Sequence, residues 1–206
     1  MPEWLLNSPF WPLEKTCYHF KMIIGLTGRT SSGKSLAINI LKQKFDFQLF
    51  DLDQIGHELL LKPEIKDQLL TEFGTSILLN QQISRPKLAS IVFSDLEKLK
   101  RLNQIMHPEI KNYVLNQIKN SAKNIIICGA LIKEIGLETN CDLMVVIDAE
   151  DELITEQEKF AQISKFQRTR ESFLQDADVV IRNNFDEDFA NELVEVFSEL
   201  IESLEG

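Results

Sequence analysis

Five short apolar runs, at 22–27, 47–51, 124–129, 143–148 and 178–182, punctuate a chain whose intervening stretches carry apolar residues every three to four positions. Runs of the first kind predict buried strands, and the second pattern predicts amphipathic helices at 34–45, 54–61, 63–73, 86–93, 95–105, 108–120 and 187–204. Pro108 is expected to set the boundary between two of these helices. Strands alternating with helices specify a parallel sheet covered on its faces. The fold expected is therefore α/β: a parallel five-stranded sheet flanked by helices. The helical stretch between the second and third strands is too long for a crossover. It predicts a helical subdomain over residues 54–120, above the carboxyl ends of the strands, where open α/β sheets bind ligands.

Composition narrows the function. A net charge of −10 over 206 residues argues against non-specific binding to nucleic acid, whose backbone most of this surface would repel. Cys17, Cys128 and Cys141 are odd in number and without C-x-x-C spacing, which predicts neither a disulfide framework nor a zinc site and fits a reducing cytoplasm. No apolar run approaches the roughly 20 residues needed to cross a bilayer. Residues 1–21 hold both tryptophans and no recognisable motif, and are expected to lie outside a core spanning 22–206.

The chemistry concentrates after the first strand. Gly28-Arg29-Thr30-Ser31-Ser32-Gly33-Lys34-Ser35 is a complete G-x-x-x-x-G-K-[ST] phosphate loop. A strand ending in such a turn and opening a helix points backbone N–H groups into one concavity, with the helix dipole favouring an anion. Lys34 then reaches the β- and γ-phosphates, and the Ser35 hydroxyl can ligate Mg²⁺. The second strand ends in Phe50-Asp51-Leu52-Asp53. In an extended chain, carboxylates two apart share a face and both can point toward the loop. Asp53 is the candidate base for a hydroxyl attacking a γ-phosphate, and is equally suited to cap a helix from Gln54.

Together these segments resemble the dephospho-coenzyme A kinase family from Met22 to about Leu204. The resemblance rests on Ile23–Gly28 with Ser32–Ser35, on Asp51-Leu52-Asp53-Gln54-Ile55-Gly56-His57-Glu58-Leu59, on Ser84-Arg85-Pro86-Lys87-Leu88 and on Ile105-Met106-His107-Pro108. Gln167-Arg168-Thr169-Arg170-Glu171 and Ala177-Asp178-Val179-Val180-Ile181-Arg182-Asn183 complete it. It implies a P-loop kinase fold with a lid, here at 149–170, and transfer of the γ-phosphoryl of ATP to the ribose 3′-hydroxyl of dephospho-CoA with Mg²⁺. Its partners would be these two small molecules, with no nucleic acid and no membrane. Residues 28–36, ending at Leu36, and Asn183 match ATP-binding positions; Asp53, Arg85 and His107 match acceptor-side positions; Asp53, Lys34 and Arg170 match catalytic ones. Arg170 would offset charge on the transferring phosphoryl group.

Three positions depart from the family pattern. Glycines of the family's G-G-I-G-S-G-K-S-T give way to a bulkier loop in which Arg29 points either outward or toward the phosphates. Cys128 replaces an aspartate expected to hold Mg²⁺ through water, leaving Asp51 as the second metal candidate. The segment 148–166 is short and has six carboxylates against Lys159 and Lys165, with no arginine. Two alternatives to a working dephospho-CoA kinase therefore stay open: a nucleotide- or CoA-binding regulator without turnover, and a kinase for another nucleoside monophosphate.

Overall fold

Ile125-Ile126-Ile127-Cys128 contains no residue to turn toward water, and it forms a strand buried on both faces. The computed structural model describes residues 21–154 and 164–205, so most of the 1–21 segment and the middle of the predicted lid lie outside the described residues. The chain runs Ile23–Thr27 (β1), Lys34–Lys44 (α1), Gln48–Asp51 (β2), Leu52–Leu59 (α2), Pro63–Phe73 (α3), Leu78–Leu79 (β3), Gln82–Ile83 (β4), Arg85–Val92 (α4) and Leu96–Asn120 (α5). It continues through Ile125–Cys128 (β5), Ile132–Ile135 (α6), Leu143–Asp148 (β6), Asp151–Ile154 (α7), Arg170–Gln175 (α8), Val179–Arg182 (β7) and Asp188–Glu205 (α9). β2, β5, β1, β6 and β7 form the parallel sheet in that order, each within a residue of the predicted run.

Alternation along the strands divides the interior in two. Ile125 and Ile127 of β5 face a core built with α2–α6, whereas Ile24, Leu26, Ile126 and Val145 face one built with α1 and α9. On the second side Phe189, Leu193 and Phe197 of α9 are fully buried. Phe197 meets Phe47 edge-on at 6.0 Å, which seats the acidic helix on the sheet through its apolar stripe. Parallel register then places Leu26, Cys128 and Asp51 in one row at the carboxyl edge. The phosphate loop and the start of α2 leave the sheet from that same edge, with β5 between them.

Two elements differ from expectation. Helices predicted at 95–105 and 108–120 are one helix, α5, with Pro108 inside it. Pro108 and Gln104, whose carbonyl loses its partner, both lie on the exposed side, while Met106, Ile110 and Val114 bury the other. The missing bond faces solvent and the core keeps the helix continuous. The short hairpin β3–β4 turns at Asn80 (φ 49°) and Gln81 (φ 64°), a left-handed pair without the glycine that marks such turns in sequence.

Because the proline removes a helical hydrogen bond without capping anything, Pro108→Ala is expected to raise stability by about 1–2 kcal/mol. Urea denaturation checks this; a loss of stability would mean that the core packing depends on the proline.

Candidate active site

Between β1 and α1 the loop holds three residues at positive φ: Gly28 (146°), Ser31 (68°) and Gly33 (101°). Steric space dictates two of them. A Cβ on Gly28 would stand 2.3 Å from the Ile147 carbonyl oxygen, and one on Gly33 would stand 1.9 Å from Asn183 Nδ2. Asn183 is fully buried directly behind the loop. Its Nδ2 donates to the Ser32 carbonyl at 2.9 Å, its backbone N–H donates to the Asp148 carbonyl at 2.7 Å, and its Oδ1 accepts from the Phe185 N–H at 2.8 Å. One residue, through its side chain and its backbone N–H, thus ties the loop to the ends of β6 and β7.

Lys34 opens α1 and folds back over the loop, donating from Nζ to the carbonyls of Gly28 at 2.9 Å and Arg29 at 2.7 Å. Burial lowers its pKa, opposed by the nearby Cys128, Asp53 and Asp51. The expectation that Asp51 and Asp53 share one face of an extended segment fails, because β2 ends at Asp51 and the chain turns at once into α2. Asp51 is the cap: its Oδ1 accepts from the N–H groups of Asp53 at 3.0 Å and Gln54 at 3.1 Å. Asp53 sits in the first helical turn, exposed, with its carboxylate not needed for capping. Gly129 makes room for this turn, since a Cβ there would meet Leu52 at 2.9 Å.

One helical turn beyond Asp53, His57 faces the same group. Burial, then the Arg85 cation, push its pKa down, against the pull of Asp53 and Asp51. Arg85 opens α4, so α4 brings a cation within electrostatic reach of His57 on α2, while Asp53 on the same helix acts on both His57 and Lys34. His57 was not singled out in the sequence, though its i, i+4 spacing from Asp53 was there to be seen. His107 is placed at the contact of α5 with α6. Its Nδ1 lies 3.2 Å from the Glu134 carbonyl, which can only accept, so Nδ1 carries the proton. Burial lowers its pKa, and it lines a cleft of about 410 Å³ with Lys100, Asn103, Gln104 and Pro108.

The arginines are differently arranged from expectation. Arg29 is buried at 8 % exposure, and its guanidinium donates to the Ala149 carbonyl at 2.7 Å and pairs with Asp151. It joins the phosphate loop to the segment after β6. Arg170, expected as a cation for phosphate, instead grips Asp148 with Nε at 2.9 Å and Nη2 at 2.6 Å, and Glu150 with Nη1 and Nη2. These partners raise its pKa. With Asp148, Leu174, Val180, Arg182 and Glu192 it lines a cleft of about 450 Å³ beside β7. A second unanticipated residue is Gln167, whose Oε1 accepts from Thr30 N–H at 3.0 Å and whose Nε2 donates to Thr30 Oγ1 at 2.7 Å. It lies within the Gln167-Arg168-Thr169-Arg170 match, where arginines drew the attention.

A family model described as dephospho-CoA kinase matches residues 22–188. The dephospho-CoA kinase of Fusobacterium nucleatum is 38% identical over 191 residues, covering 87% of this chain and 98% of that one. That of Oceanobacillus iheyensis is 36% identical over 180 residues, covering 79% and 89%. The solved dephospho-CoA kinase from Campylobacter jejuni superposes with a TM-score of 0.67 at 27% identity, covering 88% of this chain and 98% of that chain.

Since the Arg85 cation is one of the two causes that lower the His57 pKa, Arg85→Ala should let it rise toward its ordinary value. An NMR titration of the imidazole protons reads this. An unmoved or lower pKa would show that Arg85 does not face His57.

Proposed function

The chain belongs to the dephospho-CoA kinase family, and from that premise we propose how its residues transfer the γ-phosphoryl of ATP to the ribose 3′-hydroxyl of dephospho-CoA, giving CoA and ADP. One observation carries the reading: the phosphate loop and Asp53 leave the same sheet edge, with Lys34 close enough to feel both Asp51 and Asp53. Phosphoryl transfer asks the protein for alignment and charge stabilisation more than for covalent chemistry. The two elements supply one substrate each.

On the nucleotide side, the loop amides and the N-terminus of α1 receive the phosphates. Lys34 exchanges the neutral carbonyls of Gly28 and Arg29 for anionic oxygens, a stronger, charge-assisted bond. The Ser32 hydroxyl is buried in the loop with no partner among the described residues and adds a donor there. On the acceptor side, Arg85 and His57 frame Asp53. Asp53 takes the proton as the 3′-oxygen bonds to the γ-phosphorus and the bond to the β-phosphate oxygen breaks. Arg170, with its donors engaged by Asp148 and Glu150, organises the segment after β6, leaving the phosphate charge to Lys34 and the loop amides.

Mg²⁺ fits this donor set through the Ser35 hydroxyl and the Asp51 carboxylate, both hard oxygens. Bound there, it would neutralise β- and γ-phosphate charge. Burial pushes the Cys128 thiol up to about 12, so it stays protonated and is no ligand for a hard ion. Among the described residues no group of three or more His, Cys, Asp or Glu side chains could hold a metal, so the ion would draw its remaining ligands from phosphate oxygens and water. We place the reaction in the cytoplasm, which suits the free thiols of Cys128 and Cys141. Among the described residues no helix is long and apolar enough to cross a membrane.

ADP release that depends on dephospho-CoA tests the proposal. ATP binding with no ADP release from dephospho-CoA or any nucleoside monophosphate would establish a non-catalytic binding protein instead. Asp53→Asn removes the proton acceptor but spares the cap, which Asp51 provides. It should lower kcat by ~10²-fold or more, with KM and melting temperature nearly unchanged. Near-normal turnover would take the base role away from Asp53.

A further inference from the structure

The crest of the phosphate loop is a turn its own residues do not favour. Ser32 N–H donates to the Arg29 carbonyl at 3.2 Å, and within that four-residue turn Ser31 stands at φ 68° while Thr30 does not. This is a type II turn, whose third position requires positive φ and selects glycine or asparagine. Serine carries a Cβ that left-handed backbone disfavours. Left to itself, this stretch would sample other conformations and scatter the N–H groups that phosphate needs.

Gln167 counters this. Its amide meets Thr30 in matched polarity: Oε1 accepts the backbone N–H at 3.0 Å and Nε2 donates to Oγ1 at 2.7 Å, across 137 positions of sequence. Few side chains present an acceptor and a donor side by side in this way. Gln167 is itself well seated. Phe166 before it packs on Phe93, the residue that ends α4, with ring centroids 5.4 Å apart. Arg168 after it stacks over the Phe173 ring at 4.3 Å and pairs with Glu134 and Asp176. Thr169 caps α8 through its hydroxyl, which accepts from Ser172 N–H at 3.3 Å. The amide is therefore presented from a fixed base.

We propose that Gln167 is a positioning residue of the phosphate loop, clamping the Thr30–Ser31 crest in its left-handed turn and thereby setting the affinity for ATP. The proposal rests on the reading that this loop holds the nucleotide triphosphate. Gln167 does not act on the reacting atoms; it acts through Thr30.

Titration calorimetry of ATP with Mg²⁺, without acceptor, separates the two ideas. Wild type that does not bind ATP defeats the nucleotide reading, whereas wild type that binds no more tightly than Gln167→Ala defeats only this proposal. Loss of two neutral hydrogen bonds predicts that Gln167→Ala weakens ATP binding roughly tenfold, with KM for dephospho-CoA and kcat at saturating ATP within about threefold of wild type. Adding Ser31→Gly removes the conformational penalty the clamp opposes, and should recover roughly threefold of that loss or more. A loss of affinity that Ser31→Gly does not recover, or a fall in kcat of ~10²-fold with affinity intact, overturns the proposal, because Gln167 would then touch the nucleotide or the reacting groups. If Gln167→Ala does not fold, Thr30→Val, which removes only the Oγ1 bond, carries the same test with a loss of roughly threefold.

Discussion

Everything at this site depends on keeping a few backbone N–H groups converged in a turn with three positive-φ residues between β1 and α1. Such a turn has no interior of its own, so it must be held from outside. Asn183 holds it from behind, bonded to the Ser32 carbonyl and so close that position 33 admits only glycine. Gln167 holds the crest, and Arg29 reaches from the loop to Ala149 and Asp151. These three anchors come from β7, from the stretch before α8 and from the loop itself. The sheet order makes them converge, because β6 and β7 follow β1 toward one edge of the sheet.

On the other side of β1 the constraint is register. Leu26, Cys128 and Asp51 align across three parallel strands, so a slip of one residue in β2 would turn the Asp51 cap and the start of α2 away from the loop. The capping bonds of Asp51 fix where α2 begins and hence where Asp53 stands, one position inside the first turn. The carboxylate that organises the helix and the one left to meet a substrate are two different residues.

The strands were legible because each centres on a short apolar run, and the phosphate loop because its spacing is a local pattern. Both are properties of neighbours along the chain. What escaped depends on partners far away in sequence. That Asp51 and not Asp53 caps α2 turns on where the helix begins, at Leu52 and not near Gln54, a boundary that periodicity does not fix to a residue. Pro108 reads as a boundary from its own chemistry, yet Met106, Ile110 and Val114 keep the helix whole through contacts no local rule contains. Gln167 is a neutral amide, and so is Asn183, which was expected at the nucleotide but holds the loop from behind; nothing in a neutral amide announces a partner more than a hundred residues away.

The acidity of the segment after β6 reads differently once its partners are known. As a bare sequence, Asp148, Glu150 and Asp151 oppose a triphosphate at close range. In the structure Arg170 grips Asp148 and Glu150, and Arg29 pairs with Asp151. Each carboxylate therefore presents a paired charge, not a free one, to anything bound in the loop. Asp148 is only 5 % exposed on its side chain, and an unpaired charge there would be costly, so its two-pronged bond with Arg170 is the strongest of these ties. The carboxylates orient the two arginines and, through Arg29, tie the loop to the chain leaving β6. Acid residues in this segment and the unusual arginine in the loop are thus one arrangement, in which Asp151 partners Arg29.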